Sequence, residues 1–347
     1  MTELTASQKE LLRATSRSFY LTLRVLPRAI RAQIALAYLL ARTADTIADT
    51  EIVPLDQRLD ALQKLRERVL GKSRAPLDFN DLAGKQGTSA EKLLLEKAGD
   101  SLDALQTLSA PDQKNIRDVL ATITGGQELD LRRFAPLEKA APEAPRIIAL
   151  ETAAELDDYT YRVAGCVGEF WTKMCRAHIF PDAKLDEYRF IMNGIRFGKG
   201  LQLINILRDL PADLKKGRCY LPTEKLDQFK LLPQTLLSTA NETRFLTLLR
   251  EYLDKAEEHL RAGWDYTNML PFFQFRLRLA CAWPILIGVE TIEQLRGVSV
   301  IELQQRVKVP RSEVRHIILR SLLACPFPGV WRNLFPAKTV ALEGKLA

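Results

Sequence analysis

The spacing of apolar residues constrains this chain more than any other feature. They recur every three or four positions along most of its length, and no run alternates convincingly with the period of two that a half-buried strand requires. The helical pattern covers 29–48, 55–70, 90–108, 111–124, 151–180, 185–209 and 243–262. Between these runs, 71–89, 125–145 and 215–222 are rich in Gly, Pro and polar residues and read as loops, with the pair Gly125-Gly126 opening the second. No loop is long enough to divide the chain, and no self-similarity at roughly 20 to 50 residues suggests a solenoid. The expectation is one all-α domain spanning 1–347.

Composition narrows the chemistry by exclusion. The N-terminus has neither a basic leader nor an apolar core. The longest apolar run, 279–289, is about half of the ~20 residues that cross a bilayer. Five cysteines are scattered without a CxxC pair and suit reduced thiols, so a cytoplasmic location is expected. Three histidines stand far apart, which disfavours a zinc centre and leaves oxygen as the donor for any metal. The formal charge of +7 is spread among 43 acids. That pattern argues against nucleic acid, and fits phosphorylated substrates or an anionic membrane surface equally well. No obligate protein partner is indicated.

Two acidic pairs stand out. Asp45 and Asp49 lie four residues apart, which stacks both carboxylates on one face of a helix. Asp209 and Asp213 repeat the device, with Asn205 one turn earlier. A lone pair of this kind is usually a solvated helix face. Here each follows an apolar stretch, 34–41 and 201–204, where a helix should be buried. Unpaired burial of carboxylates is costly. Two such faces brought opposite each other would bind Mg²⁺, which fills its remaining positions with water and phosphate oxygens. Pro211 inside the second pair predicts a kink or an end to that helix.

From about residue 16 to 322, the chain resembles the squalene and phytoene synthases, leaving 323–347 as a tail. The resemblance rests on an ordered set: Ser16-Arg17-Ser18-Phe19, Tyr38 through Asp49, Tyr159 through Gly165, Gln202 through Asp213, and Gly217 through Pro222. It implies an isoprenoid-synthase-type helical bundle, with a central cavity lined by two aspartate-rich helices. By the same resemblance Asp45, Asp49, Asn205, Asp209 and Asp213 hold Mg²⁺ against substrate diphosphates. Arg42 and Arg208 pair with phosphate oxygens. Tyr159 serves the carbocation or assists proton removal, and its alternative is a core tyrosine on a helix. Ser16, Arg17, Ser18, Phe19, Tyr38 and Gln202 line the substrate site; for Phe19 and Tyr38 plain core packing is an equal alternative.

The form Asp45-Thr46-Ile47-Ala48-Asp49 resembles squalene synthases in particular, although Ala48 and Ala212 replace glutamates often present in the family. Cys281-Ala282-Trp283-Pro284 and the basic segment Arg306-Val307-Lys308 are similar to the region that contacts NADPH. The resemblance then implies that Arg17, Arg42, Arg208, Arg306 and Lys308 face cofactor or substrate phosphates; a plain surface position is the alternative for Arg306 and Lys308. Without a GxGxxG fingerprint, NADPH would bind outside any Rossmann unit. The expected activity is squalene synthesis from farnesyl diphosphate. The alternatives are a dehydrosqualene, hydroxysqualene or phytoene product without reduction, and, in another class, a non-catalytic basic module for membranes or nucleic acid. Peripheral membrane contact is expected from the apolar product, with Phe327, Trp331, Leu334 and Phe335 of the tail touching lipid or packing on the core.

Overall fold

The computed structural model describes residues 4–16, 19–138, 147–305 and 307–336. Arg17, Ser18 and Arg306 lie outside them, as does the side chain of Phe19. The chain is helical nearly throughout. It opens with α1 (Ala6–Thr15), α2 (Phe19–Val25), α3 (Arg28–Asp49) and α4 (Leu55–Val69), then the short α5 (Asn80–Gly84), α6 (Ser89–Glu96) and α7 (Ala98–Gln106). A long α8 (Ala110–Glu138) leads to strand β1 (Ile148–Ala149), α9 (Ala153–Thr160), a π-helical turn (Tyr161–Gly165) and α10 (Cys166–His178). The second half holds α11 (Glu187–Lys215), β2 (Arg218–Cys219), α12 (Thr223–Gln228), α13 (Glu242–Met269) and α14 (Phe275–Arg296). It closes with α15 (Val300–Leu303), α16 (Arg311–Ala324) and α17 (Pro328–Arg332).

Two apolar clusters form the interior, one around α3, α4, α8 and α10, the other around α11, α13 and α14. Helix α11 runs through both: Phe190 is buried in the first and Leu203, Leu207 and Leu210 in the second. The chain is therefore a single helical body. Helix α3 shows why these segments are helical where they are. Ile30, Ile34, Leu40, Ala44 and Ile47 fall on one buried face. Its last turn is met by Arg58 of α4, which is fully buried and donates to the Ala48 carbonyl at 2.9 Å. A cation at a helix C-terminus satisfies an orphan carbonyl and the helix dipole together.

Four loop or helix expectations are corrected. The predicted loop 71–89 contains the short helix α5. The predicted loop from 125 is helix as far as Glu138. Gly125-Gly126 is no turn: a Cβ on Gly126 would meet Arg162 Cβ at 2.8 Å, so the missing side chain lets α8 approach the π-turn. Helix α11 runs unbroken past Pro211, without the expected end between Asp209 and Asp213. Segment 215–222 contains a two-residue parallel strand, with Ile148 paired to Arg218 and Ala149 to Cys219. Among the described residues these are the only strands. Helix α14, outside every predicted run, is buried on most sides and so carries no one-sided apolar stripe to read.

All five cysteines are buried and free. No helix among the described residues is long and apolar enough to cross a membrane. Of the four tail residues expected to touch lipid or pack on the core, Trp331, Leu334 and Phe335 pack on the core and Phe327 is exposed.

Candidate active site

A cavity of about 980 Å³ runs between α10, α11, α14 and the 307–318 segment. Its walls are chiefly apolar, with Val163, Val167, Phe197, Leu201, Ile204 and Ile287 among them. Asn205, Arg208, Lys308 and Arg311 bring polar groups to it. Glycine sets its geometry at one crossing: a Cβ on Gly168 would overlap the Gly194 carbonyl, so only glycine lets α10 and α11 touch through their backbones. At the upper end of the ~300–1,000 Å³ range of ligand pockets, this volume suits a large apolar ligand.

The carboxylates stand outside the cavity lining and connect to it through Arg208. Arg208 lines it and also grips Asp209, with Nε to Oδ1 at 3.0 Å and Nη2 to Oδ2 at 2.5 Å. Asp213, one turn on, is pushed up to about 6 by burial and then by the Asp209 charge, against the pull of Arg218 and Lys216. On α3, burial and then Asp49 raise Asp45 to about 6, opposed by Arg42 and by a hydrogen bond from the Gln127 amide of α8. The Asp45 side chain keeps 46% of its surface, so it is half-buried and in reach of solvent. Asp49 lies on the exposed rim, where partial desolvation still raises it against Arg42, Lys216 and Arg218.

Asp130 of α8 joins the two halves. Burial raises it to about 6, opposed by a hydrogen bond from Tyr220 at 2.9 Å and by Arg218, and it feels Asp49. Its own charge acts in turn on Asp213. Tyr159 stacks on Tyr220 with ring centroids 4.6 Å apart. Burial raises the Tyr159 phenol, and Asp130, Asp213 and Asp45 raise it further. One phenol thus lies in the field of carboxylates from α8, α11 and α3. Arg218 counters Asp49, Asp130 and Asp213. The β1–β2 pairing is what fixes Arg218, with Tyr220 two residues on.

The remaining expected residues divide. Asn205 lines the cavity and its amide reaches Gln202 Oε1 at 3.5 Å. Lys308 is exposed and lines the cavity as well. Arg42 pairs with Glu91 at 2.9 Å and stands 3.9 Å from Asp45. Ser16 is buried and its hydroxyl donates to the Leu12 carbonyl, while Tyr38 donates to the Thr15 carbonyl at 3.0 Å and packs against the first core cluster. Helix α11 contributes to the cavity wall but α3 does not, and none of the four aspartates lines it, so the expected cavity between two acid-bearing helices is not what the structure forms; Arg208, which lines the wall and bonds Asp209, is the link to the acids. The sequence reading missed Asp130, Gln127, Arg218 and Tyr220. The last two stood inside a quoted motif, whereas Asp130 is a single acid with no i+4 partner.

The donor set fits Mg²⁺, being made of carboxylate and amide oxygens only. Buried Asp130 Oδ1 and Gln127 Oε1 find no hydrogen-bond partner among the described residues. Among those residues no three acidic, His or Cys side chains form a ready cage for an ion. An ion held by one or two carboxylates and completed by phosphate oxygens needs none.

The fold and site define a class of all-α proteins with an apolar cavity and with arginine-bordered carboxylates linked to it through Arg208. The squalene/phytoene synthase family model matches residues 12–313, and the chain belongs to that family. It is 29% identical over 253 residues to a 15-cis-phytoene synthase of Synechocystis, covering 70% of this chain and 63% of the relative. It is 26% identical over 317 residues to the squalene synthase of Schizosaccharomyces pombe, covering 90% of this chain and 64% of that one. The chain thus spans somewhat under two thirds of these relatives. A solved structure of TcSQS with a bound ligand shares the fold, with a TM-score of 0.75 at 21% identity, covering 97% of this chain and 92% of that one.

Proposed function

We propose that the chain is a squalene synthase, which joins two farnesyl diphosphates head to head into presqualene diphosphate and reduces that intermediate with NADPH. The observation that carries the reading is the way α8 joins the other polar elements: Gln127 bonds Asp45 of α3, and Asp130 bonds Tyr220, whose ring stacks on Tyr159. Metal ligation by Asp45, Asp49, Asn205, Asp209 and Asp213 belongs to this reading. When bound there, Mg²⁺ supplies positive charge to the departing diphosphate. Arg42, Arg208 and Arg218 border the same acids and bind phosphate oxygens by paired N–H donors. The apolar walls exclude water from the carbocation left behind.

Both phenols are held protonated, so neither acts as a free base at neutral pH. Tyr220 gives its one proton to Asp130 Oδ2, and its ring stacks on that of Tyr159. The proposed route for a proton taken from the substrate at the Tyr159 oxygen uses this neighbourhood: Tyr159 releases its own proton to Tyr220, and Tyr220 releases its proton to the Asp130 carboxylate. Asp130, at about 6, is mostly ionised at pH 7 and able to receive it.

Support for the reductive product comes from the cavity wall, where Cys281, Trp283 and Pro284 lie with Lys308. Lys308 and Arg208 are the groups there that would hold the phosphates of NADPH, which supplies a hydride when bound. A second reading, a phytoene or dehydrosqualene product without reduction, is favoured by the phytoene synthase relative. Mass-resolved product analysis with C15 and C20 diphosphates and Mg²⁺, each with and without NADPH, separates them. The expected result is squalene from the C15 substrate only when NADPH is present. Squalene formed equally without NADPH, or a C40 product, refutes the proposal.

A further inference from the structure

We infer that the outer face of α16 and α17 seats the protein on an anionic bilayer. Helix α16 is apolar on two opposite sides. Its inner side carries Val314 and Ile318 in the cavity wall, and is fixed by Trp283 Nε1 donating to Ser321 Oγ at 2.9 Å. Its outer side exposes Leu319 (58%), Leu322 (46%) and Leu323 (66%), and Phe327 (60%) and Val330 (57%) are exposed in the turn and helix that follow. Positions 319, 322 and 323 are spaced as one stripe of a helix. Exposed apolar side chains gathered in this way mark a surface that is covered in use. It is rigidly held: Trp331, fully buried, stacks on Trp264 at 5.3 Å and donates to Asn268 at 3.1 Å, which fastens α17.

Charge selects the occupant. Across 307–336, Lys308, Arg311, Arg315, Arg320 and Arg332 are all exposed, against the single acid Glu313. A second copy meeting this face through a two-fold axis would set like charges on like charges. Anionic headgroups instead complement them, each basic residue near the surface adding to the burial of the leucines. The same segment closes the apolar cavity, so the cavity wall and the bilayer contact are two sides of one helix. That the bilayer also takes up an apolar product rests on the proposed function; the docking itself does not.

The test is cosedimentation of the full chain, without substrate, with phosphatidylglycerol–phosphatidylcholine vesicles and with pure phosphatidylcholine vesicles. The expected result is salt-sensitive binding to the anionic vesicles alone. It should fall roughly tenfold or more in Leu319→Asp/Leu323→Asp and in Arg315→Gln/Arg320→Gln. Circular dichroism of both variants should match the parent, because all four side chains are exposed. Three outcomes overturn the inference: no binding to anionic vesicles at low salt, folded variants that bind like the parent, or a solution dimer that Leu323→Asp dissociates while vesicles bind nothing. Product analysis in detergent reads the enzymatic proposal separately, so either can fail with the other intact.

Discussion

Replacing Tyr220 by Phe removes one hydroxyl from a position only 6% exposed, and leaves the ring that stacks on Tyr159. Asp130 Oδ2 then loses its donor at 2.9 Å, while Oδ1 already has none among the described residues. A hydrogen bond to a charged group contributes about 1.5–3 kcal/mol. At about 1.4 kcal/mol per pKa unit, its loss should move Asp130 from about 6 to about 7–8. Burial already lifts Asp130 above an ordinary carboxyl, so its stabilising proton is fully present below pH ~4 and is lost as pH rises through about 6. In Tyr220→Phe the loss continues for a further one to two pH units. Urea unfolding should therefore show the variant less stable by about 1.5–3 kcal/mol at pH 9 and by clearly less at pH 5. Turnover should fall across the pH range, since the relay passes through the Tyr220 hydroxyl that the variant lacks. A destabilisation equal at both pH values refutes the coupling of Tyr220 to Asp130, and unchanged turnover refutes the relay.

Asp45→Asn and Asp209→Asn should each lower turnover by roughly 10²–10³ or more, read as product formed per minute. Thermal melting of Asp45→Asn should hold or rise at pH 7, because partial burial and then the Asp49 charge raise this carboxyl to about 6, so its ionised form costs the fold at that pH; a fall in melting temperature that accounts for the lost activity would make its role structural. Gly168→Ala sets a Cβ against the Gly194 carbonyl, and should cost about 1–3 kcal/mol or more and lower the melting temperature by several degrees. An unchanged melt would show that α10 and α11 are free to separate.

Much of this architecture was legible because one-sided burial leaves a periodic trace. Helix α3 buries Ile30, Ile34, Ala44 and Ile47 and shows solvent its other face, so its span could be read almost to the residue. Helix α14 is buried on most sides and leaves no such trace. The acidic pairs were visible for the same reason as α3: an i,i+4 repeat is a local signal. Asp130 and Gln127 have no local signal. Their importance comes from where α8 crosses α3 and β2, a tertiary fact, and so a single acid after Gly125-Gly126 looked like loop.

That glycine pair illustrates how one residue type supports opposite readings. In a turn, glycine supplies backbone freedom; in α8, Gly126 supplies absent volume, and Arg162 Cβ occupies the space where its own Cβ would be. The consequence reaches the site. With Arg162 drawn against α8, the widened π-turn at Tyr161–Gly165 lies between α8 and α11, with Gly165 packed on Lys199 and Ile195. Tyr159 sits just before that turn, and its phenol is carried to the carboxylates of α8 and α11 together. A π-turn is tolerated where neighbours over-determine it, and such turns gather at functional sites. Here the over-determination is visible as Gly126 on one side and Gly198, packed on the Ala164 carbonyl, on the other. A larger side chain at either glycine should displace Tyr159 without touching an acid, so loss of turnover with the carboxylates intact is the signature of this packing.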